Sequence, residues 1–244
     1  MQLVNIEGHN MPGPRIIAQR AAPLRQQVVE ILRQDILDNI MHPGDRLLES
    51  TLCDRYGVSR TVIREALRQL ESESLITMLP NRGPIVTILS ARDIESLYEV
   101  RASLEGLAGA LFARNAGAEQ VGQLIKHLAL METTYLAGDL RTRGESKDEF
   151  YRILLSGGGN EVLSASLMGI HTRIGIFRHY AFLDSERVKV SMKELRGIVQ
   201  SAAVDRDPAG ARQLCEEHIR LAGALAVLEY QARVDPTTET ALLS

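Results

Sequence analysis

The segment ESTLCDRYGVSRTVIREAL, residues 49–67, restricts the local fold more than any other part of the chain. It contains two short helical stretches on either side of Gly57, which suits a tight turn, and Ser59 is a typical N-cap for the second stretch. At about 100° per residue, one face of the second stretch is apolar. That face consists of Ile63, Ala66, Leu67 and Leu70. The pattern predicts a helix-turn-helix whose second helix packs through this face.

The neighbouring face of the second helix is basic and carries Arg60, Thr61, Arg64 and Arg68. Guanidinium groups match phosphate oxygens and the paired acceptors of guanine, so this face suits a groove of double-stranded DNA. The alternative is a solvated basic face that pairs with Glu65 and Glu71. Because the turn, the cap and the basic face occur together, we favour the DNA-binding interpretation.

Two short β-prone runs, residues 75–78 and 85–88, flank the turn-forming segment LPNRGP. A hairpin that directly follows a recognition helix is a wing, and its tip would be Asn81, Arg82 and Gly83. Arg82 can reach a minor groove, and Gly83 permits a close backbone approach. A hairpin without any DNA contact is the alternative. The segment is therefore expected to complete a winged helix-turn-helix.

The stretch PGDRLLESTLCDRYGVSRTVIREALRQLESESLITMLPNRGPIV resembles the winged-helix domain of GntR-family bacterial transcription regulators. The resemblance covers about residues 21–88. It implies that the partner is double-stranded operator DNA and that DNA contacts lie in the recognition helix and the wing. The implied residues are Ser59, Arg60, Thr61, Arg64, Arg82 and Gly83. Ser50 occupies a position where some members have another DNA-contacting arginine, so the chain departs from the family there.

Composition sets outer limits on the fold and on the environment. The chain has 244 residues, of which 45% are hydrophobic, enough for one large or two modest domains. Residues 1–90 hold ten basic and ten acidic side chains, which predicts modest nonspecific affinity for DNA. No long apolar run or signal-peptide pattern occurs, and Cys53 and Cys215 resemble buried small hydrophobes. We therefore expect a soluble cytoplasmic protein that has no contact with a membrane.

Residues 93–231 show helical periodicity in segment after segment and no alternating strand pattern. The helices are predicted near 93–115, 118–137, 145–156, 160–180, 185–205 and 208–231. Breaks are predicted at residues 115–117, 138–139, 157–159 and 207–208. The glycines at 157–159 lack the preceding strand and the lysine of a phosphate-binding loop, so they are predicted to form a turn between helices. This half of the chain is expected to be an all-α bundle.

The overall prediction is a mainly α protein with two parts. The N-terminal part is a winged helix-turn-helix, which is α with a small β wing, and the C-terminal part is an all-α helical bundle. The expected parts are a flexible arm at 1–20, the winged helix at 21–88, a linker at 89–92, the bundle at 93–231 and a tail at 232–244.

The bundle also resembles a known domain. Its segments DIESLYEVRASLEGLAGALFA, DEFYRILLSGGGNEVL and ARQLCEEHIRLA are similar to the FCD type of ligand-sensing domain in the FadR branch of GntR regulators. This resemblance implies a homodimer that binds a small carboxylate effector and changes the spacing of its two DNA readers in response. Many members of the branch also hold a divalent metal in the bundle.

The chain departs from the family at the metal site. The family ligands are an Asp, a His four residues later and two further His residues. The corresponding positions are Lys147, Tyr151, Leu195 and His218. A lysine ammonium has no lone pair to donate and a leucine has no donor atom, so the sequence predicts that the domain holds neither a metal nor any other cofactor. A rearranged site that recruits His171 or His179 remains the alternative.

Helical spacing places Arg101, Lys147 and His218 on the inner faces of their helices. Our hypothesis is that Lys147 supplies the positive charge that the metal provides in relatives. Together with Arg101, Tyr151 and His218 it would then bind the anionic effector. Two alternatives stay open: Arg101 can form an internal ion pair with Glu105, and the long side chain of Lys147 can extend to the rim of the bundle.

Arg173 and Asn160 are further candidates for the effector pocket, and helix capping is the alternative role for Asn160. On these grounds we predict a dimeric transcription regulator, and the family favours a repressor. A helical enzyme with an appended DNA reader is the competing class, but no nucleophile elbow, HExxH motif, catalytic carboxylate pair or cofactor loop is found. A purely architectural DNA-binding protein, which senses no small molecule, is the third possibility.

Overall fold

The computed structural model of the protein describes residues 22–38, 40–178 and 184–233. The described residues form helices and one small hairpin, as the sequence predicts. The elements are α1 (Ala22–Leu37), α2 (Glu49–Tyr56), α3 (Arg60–Ser72), β1 (Ile76–Leu79), β2 (Gly83–Val86), α4 (Ala91–Asn115), α5 (Ala118–Thr134), α6 (Leu140–Gly158), α7 (Glu161–Arg178), α8 (Ser185–Val199), a π-helical turn (Gln200–Val204) and α9 (Pro208–Arg233).

Some predictions concern residues outside the described ranges. They are the arm at 1–20, residue His179 and the part of the tail from residue 234 onward. Residues 232 and 233, which were expected to belong to the tail, form the last residues of α9. None of the described helices has the length and apolar character that crossing a membrane would require.

The helix-turn-helix forms where the local sequence predicts it. Gly57 ends α2 in the left-handed region at φ 65°, which a glycine adopts without strain. The Ser59 hydroxyl accepts a hydrogen bond from the backbone N–H of Val62 and so caps α3. The side chains of Ile63 and Leu70 are fully buried against α1 and the rest of the domain. The predicted packing face of the second helix is therefore confirmed.

Ion pairs fix α1 against the other two helices of the N-terminal domain. Arg33 of α1 donates through Nε and Nη2 to the carboxylate of Glu73, just beyond the end of α3. Asp35 of α1 accepts hydrogen bonds from Arg55 and from the Tyr56 hydroxyl, both on α2. These contacts thus hold α2 and the end of α3 in a fixed position relative to α1.

The hairpin pairs β1 with β2 in antiparallel register, from Ile76 opposite Val86 to Leu79 opposite Gly83. The strands therefore begin and end one or two residues away from the predicted runs, since Leu79 and Gly83 pair instead of forming part of the turn. Asn81 and Gly83 both have positive φ, at 61° and 78°. Residues 45–47 pair with the outer edge of β2 and extend the wing.

α4 begins earlier than predicted. Ser90 accepts a hydrogen bond from the Asp93 N–H while the Asp93 carboxylate accepts one from the Ser90 N–H, which forms a capping box. Two of the four expected linker residues, Ala91 and Arg92, therefore belong to the first turn of α4. The capping box formed by Ser90 and Asp93 therefore extends α4 toward the wing.

α4 and α9 pack very closely at the centre of the bundle. A Cβ atom added at Gly109 would lie 2.7 Å from the Cys215 sulfur, and one added at Gly223 would lie 2.8 Å from the Tyr98 ring. Glycine is required at both positions because the two backbones approach so closely. Cys215 is buried as expected, whereas Cys53 is only half-buried.

The predicted break at residues 157–159 is mostly wrong. α6 begins at Leu140, where Asp139 caps it, and continues through Gly157 and Gly158. A Cβ atom at Gly157 would lie 2.4 Å from the Phe112 ring, so these glycines let α6 pack tightly on α4. Only Gly159, with φ 67°, ends the helix. Tertiary packing therefore overrides the low intrinsic helix propensity of glycine here.

The predicted helix at 185–205 consists of two parts. α8 ends at Val199, and Gln200–Val204 continue the chain as a π-helical turn with buried Ser201, Ala202 and Ala203. At the other end of the bundle, α1 and α7 make the most extensive contact between described elements of the N-terminal domain and the bundle.

Candidate DNA-binding surface and buried polar cluster

The predicted basic face of α3 is presented to solvent. Ser59, Arg60, Thr61, Arg64 and Arg68 are all exposed, while the opposite face of the helix is buried. α3 packs against α1, α2 and β1, so its position relative to the wing is fixed by the domain core. Exposed guanidinium groups on a rigidly held helix can contact phosphates and base edges.

An ion pair between α2 and α3 orients one of these arginines. Arg64 donates from Nε to Oε1 of Glu49 at 2.7 Å, and the two side chains are 59% and 31% exposed. The hydrogen bond from Arg64 lowers the pKa of Glu49. The hydrogen bond to Glu49 uses Nε of Arg64.

The wing presents its tip to solvent. Asn81 and Arg82 are exposed, and the Arg82 N–H donates to the Leu79 carbonyl across the turn. Nothing lies within 4 Å of the position that a Gly83 side chain would occupy. An exposed cation beside an unobstructed backbone suits an approach to a DNA groove.

The bundle contains a buried ion pair on the inner face of α4. Arg101 donates from Nε to Oε1 of Glu105 at 2.5 Å, and His171 of α7 contacts the same oxygen through Nε2 at 2.9 Å. Burial alone would raise the pKa of Glu105, but the charge of Arg101 and the hydrogen bond from His171 lower it to about 2. Arg101 is therefore inward, as predicted, and forms the internal ion pair that was its alternative role.

A second buried group surrounds His218 of α9. Lys147 Nζ donates to His218 Nε2 at 2.7 Å, and His218 Nδ1 contacts the carboxylate of Glu194. Arg187 binds the same carboxylate through both terminal nitrogens, at 2.8 and 2.9 Å. Burial and the Lys147 charge lower the pKa of His218 to about 4, against the opposing effect of Glu194. The ring is therefore neutral at pH 7, with its proton assigned to Nδ1 and shared with Glu194.

Tyr151 of α6 joins the two groups. The Arg101 guanidinium and the Lys147 ammonium each lie 5.6 Å from the centre of its ring. Its hydroxyl is buried without a hydrogen-bond partner of normal geometry in the described part of the chain. Burial and the nearby Glu105 carboxylate raise its pKa, so the hydroxyl keeps its proton. We call Arg101, Glu105, Lys147, Tyr151, His171, Arg187, Glu194 and His218 the buried polar cluster.

Two predicted pocket residues have other roles. The Asn160 side-chain oxygen accepts a hydrogen bond from the Leu163 N–H at 3.0 Å, so Asn160 caps α7, which was its alternative role. Arg173 is half-buried, and its charge contributes to lowering the pKa of Asp93 at the start of α4, after the larger effect of hydrogen bonds from Ser90. The described contacts therefore place neither residue in the buried polar cluster.

Comparisons with known proteins identify both halves of the chain. Residues 24–86 match the family model described as bacterial regulatory proteins of the gntR family, and residues 96–221 match that of the FCD domain. The chain belongs to the GntR family of bacterial transcription regulators, in the group that carries an FCD domain. It is thus a DNA-binding transcription regulator, and the matched families are regulators and not enzymes.

Individual relatives agree with this assignment. The HTH-type transcriptional regulator YdhC of Bacillus subtilis is 29% identical over 182 residues, which cover 74% of this chain and 81% of YdhC. The HTH-type transcriptional repressor RspR of Escherichia coli is 30% identical over 132 residues, which cover 54% of this chain and 58% of RspR. The solved structure of E. coli McbR/YncC has the same fold, with a TM-score of 0.72, 20% identity, and coverage of 88% of this chain and all of that one.

The residues at the family's metal positions do not fit a divalent cation. The Lys147 ammonium lies 2.7 Å from Nε2 of His218, Nδ1 of the same ring contacts the Glu194 carboxylate, and Leu195 offers no donor atom. Within residues 22–38, 40–178 and 184–233, no group of three or more His, Cys, Asp or Glu side chains could hold a metal ion. The absence of a metal in solution remains a prediction.

Three members of these sites were not singled out by the sequence analysis, namely Glu49, Arg187 and Glu194. Arg187 and Glu194 lie seven residues apart, two turns along one face of α8. This spacing could have predicted that the two side chains form an ion pair. Their link to His218 could not be derived from spacing because it crosses from α8 to α9. Glu49 is likewise connected to Arg64 only through the packing of α2 on α3.

Proposed function

We propose that this GntR-family regulator is a homodimeric repressor. When its FCD domain binds a small carboxylate, the dimer would leave its operator or change its arrangement on it. DNA binding follows from the family, while the dimer, the repression and the carboxylate response are the proposal. The DNA contacts are proposed to be made by the exposed face of α3 and the tip of the wing. Those residues are Ser59, Arg60, Thr61, Arg64, Arg68, Asn81, Arg82 and Gly83.

The observation that carries the effector proposal is the position of Lys147. Its side chain is 6% exposed and its ammonium bonds to His218, so it lies inside the bundle and does not extend to the rim. A buried cation next to a neutral imidazole creates a site that favours an anion. The Tyr151 hydroxyl is buried near the Glu105 carboxylate and has no hydrogen-bond partner of normal geometry among the described residues, so it can donate a hydrogen bond to the same anion.

The two cations have unequal parts in this proposal. Arg101 forms a buried ion pair with Glu105, while Lys147 occupies the position of a family metal ligand and contacts His218 and two tyrosine rings. Lys147 is proposed as the main anchor for the carboxylate group. Arg101, Tyr151 and His218 would line the site and orient the ligand.

A dimer is proposed because one small winged helix contacts few bases and binds weakly alone. Two such domains that bind a two-fold symmetric site gain affinity through the connection between them. A ligand that favours one arrangement of the two readers then shifts the population of DNA-competent dimers. Size-exclusion chromatography with light scattering measures the dimer directly, and a reporter gene measures repression.

The test of the effector proposal is the response of DNA binding to named acids. Fluorescence anisotropy would measure the affinity of the full-length protein for a duplex of its own promoter, with acetate, lactate, succinate or citrate. Equal ionic strength of sodium chloride is the reference, because salt alone weakens DNA binding. We expect at least one acid to change the affinity, and we expect Lys147→Met to abolish that response. Lys126→Met, at an exposed position of α5, is the matched control that should keep it.

The opposite results are equally informative. An acid response that survives Lys147→Met would remove Lys147 from the effector site. A DNA complex that is indifferent to every acid tested, in a protein that binds none of them by calorimetry, would favour an architectural protein without a sensor.

A further inference from the structure

α7 is in direct contact with the buried polar cluster and with the N-terminal domain. From these two contacts we infer that α7 transmits the state of the cluster to the winged helix through the packing of Gly175 on Leu37. The inference rests on the proposed function, since it supplies the route by which an effector in the bundle would alter DNA binding. Each contact is made by a different residue of the same short stretch, residues 171–175.

The first contact lies at the cluster. His171 Nε2 is 2.9 Å from Oε1 of Glu105, the same oxygen to which Arg101 donates. The His171 ring also packs on the Tyr151 ring, with centroids 5.5 Å apart. Any anion that competes with Glu105 for Arg101, or that bonds to Tyr151, therefore alters the surroundings of His171.

The second contact lies one helical turn further along α7, on the same face of the helix. A Cβ atom added at Gly175 would lie 2.5 Å from Cδ2 of Leu37, the last residue of α1. Only glycine leaves room for Leu37 to approach the helix backbone so closely. A shift of α7 by an ångström or so would therefore displace the end of α1.

Movement of α1 would reach the DNA-binding surface directly. Leu32 and Ile36 of α1 are fully buried in the core on which α3 packs. The Arg33–Glu73 and Asp35–Arg55 ion pairs further join α1 to the ends of α3 and α2. Because these contacts hold the three helices together, α1 and α3 would move as one unit relative to the bundle.

Two charge interactions also lie near the contact between Gly175 and Leu37. The charge of Arg173, which lies between the two contact residues of α7, acts on Asp93 at the start of α4. The charge of Asp38, just after α1, acts on Arg141 of α6. It raises the pKa of Arg141, after the larger effect of Glu145. Of these two interactions, only the one between Asp38 and Arg141 crosses from the N-terminal domain to the bundle.

The test is a double-mutant cycle read out as affinity for the promoter duplex. His171→Phe removes the hydrogen bond to Glu105 while keeping a ring against Tyr151, and Leu37→Ala removes the contact between the regions. We expect His171→Phe to change the DNA affinity by about twofold or more in the wild-type background. In the Leu37→Ala background the same change should have no measurable effect. Gly175→Ala provides an independent way to disturb the contact if Leu37→Ala lowers stability.

A matched control separates this contact from a general effect on the helix. Gly169 lies on α7 with nothing within 4 Å of its Cβ position, so Gly169→Ala and Gly175→Ala raise helix propensity equally. We expect Gly175→Ala to alter the DNA affinity and Gly169→Ala to leave it unchanged. Melting temperatures of all variants would show that each one is folded.

The outcomes distinguish this inference from the proposed function. Additive effects of His171→Phe and Leu37→Ala would overturn the α7 route. If lactate or another acid bound and shifted the DNA affinity equally in wild type and Leu37→Ala, the effector proposal would stand without this route. If no acid bound but the cycle remained non-additive, the α7 route would stand and the effector proposal would fail.

Discussion

Glu49 at the start of α2 and Arg64 in the middle of α3 are joined by a hydrogen bond of 2.7 Å between Oε1 and Nε. Both side chains are largely or partly exposed, so the pair contributes little to stability. Its structural effect is to hold the Arg64 guanidinium in one orientation relative to the basic face of α3. A carboxylate at this place also repels phosphates that approach in a wrong register.

Glu49→Gln is therefore expected to reduce sequence specificity more than stability. Loss of the charge should leave the melting temperature nearly unchanged, strengthen binding to unrelated duplex DNA and lower the affinity ratio of promoter to unrelated DNA by about threefold to tenfold. Anisotropy titrations on the two duplexes would measure the ratio. Glu71→Gln, at an exposed position near the end of α3, is the control and should preserve it. An unchanged ratio in Glu49→Gln would show that Glu49 does not orient Arg64 on DNA.

Gly157 and Gly122 provide a test of packing between α6 and α4. A methyl group at Gly157 would lie 2.4 Å from the buried Phe112 ring, whereas Gly122 of α5 has open space. Gly157→Ala should therefore lower the free energy of unfolding by about 1–3 kcal/mol through overpacking. Gly122→Ala should raise it by about 0.5–1 kcal/mol through helix propensity. Urea titrations of both variants measure these changes, and stabilisation by Gly157→Ala would contradict the tight packing.

The low pKa of His218 predicts a loss of stability in mild acid. In the unfolded chain an ordinary histidine takes up a proton near pH 6.5, but burial and the Lys147 charge keep the folded ring neutral down to about pH 4. The unfolded state therefore binds more protons between these values, and stability falls as the pH is lowered through this window. The expected loss between about pH 7 and pH 5 is roughly 1–2 kcal/mol. The groups that face His218 are Lys147, Glu194, Arg187 and, at longer range, Glu105.

Variants separate His218 from the other titrating groups. The folded pKa values of Glu105 and Glu194 are lowered to about 2, so their stabilising contributions are lost only as the pH falls below about 4.5. His218→Gln should therefore flatten the dependence of unfolding free energy on pH between about pH 7 and pH 5. His42→Gln, at a position 62% exposed, should keep the wild-type slope. A slope that survives in His218→Gln would assign it to other groups.

The chemistry around His218 also predicts the response to metals and chelators. Nε2 of His218 already accepts a hydrogen bond from the Lys147 ammonium, and a divalent ion there would be repelled by that charge. Dialysis against EDTA should leave the melting temperature unchanged, and added zinc should not raise it, because only a ligand of the folded state stabilises it. One tightly held zinc ion per purified chain would contradict this prediction.

The helix-turn-helix could be predicted from sequence because its signals are local. Gly57, Ser59 and the spacing of Ile63, Ala66 and Leu70 act within one or two turns of chain, and the structure confirms each of them. The two-domain, mainly helical fold was predictable for the same reason, since each helix carries its own period of apolar residues. Inward positions such as Lys147 and His218 also follow from this period.

Other features depended on partners that are distant in sequence. The sequence indicates that Lys147 and His218 face inward, but only the packing of α6 against α9 brings Nζ within 2.7 Å of Nε2. Likewise, Gly157 has the propensity of a helix breaker, and only its approach to Phe112 explains why α6 continues through it. Helix periodicity determines which side of a helix is buried, since it depends on a few neighbouring residues. Which buried charges neutralise one another depends on the angles and distances between helices, and these arise only when the whole bundle is packed.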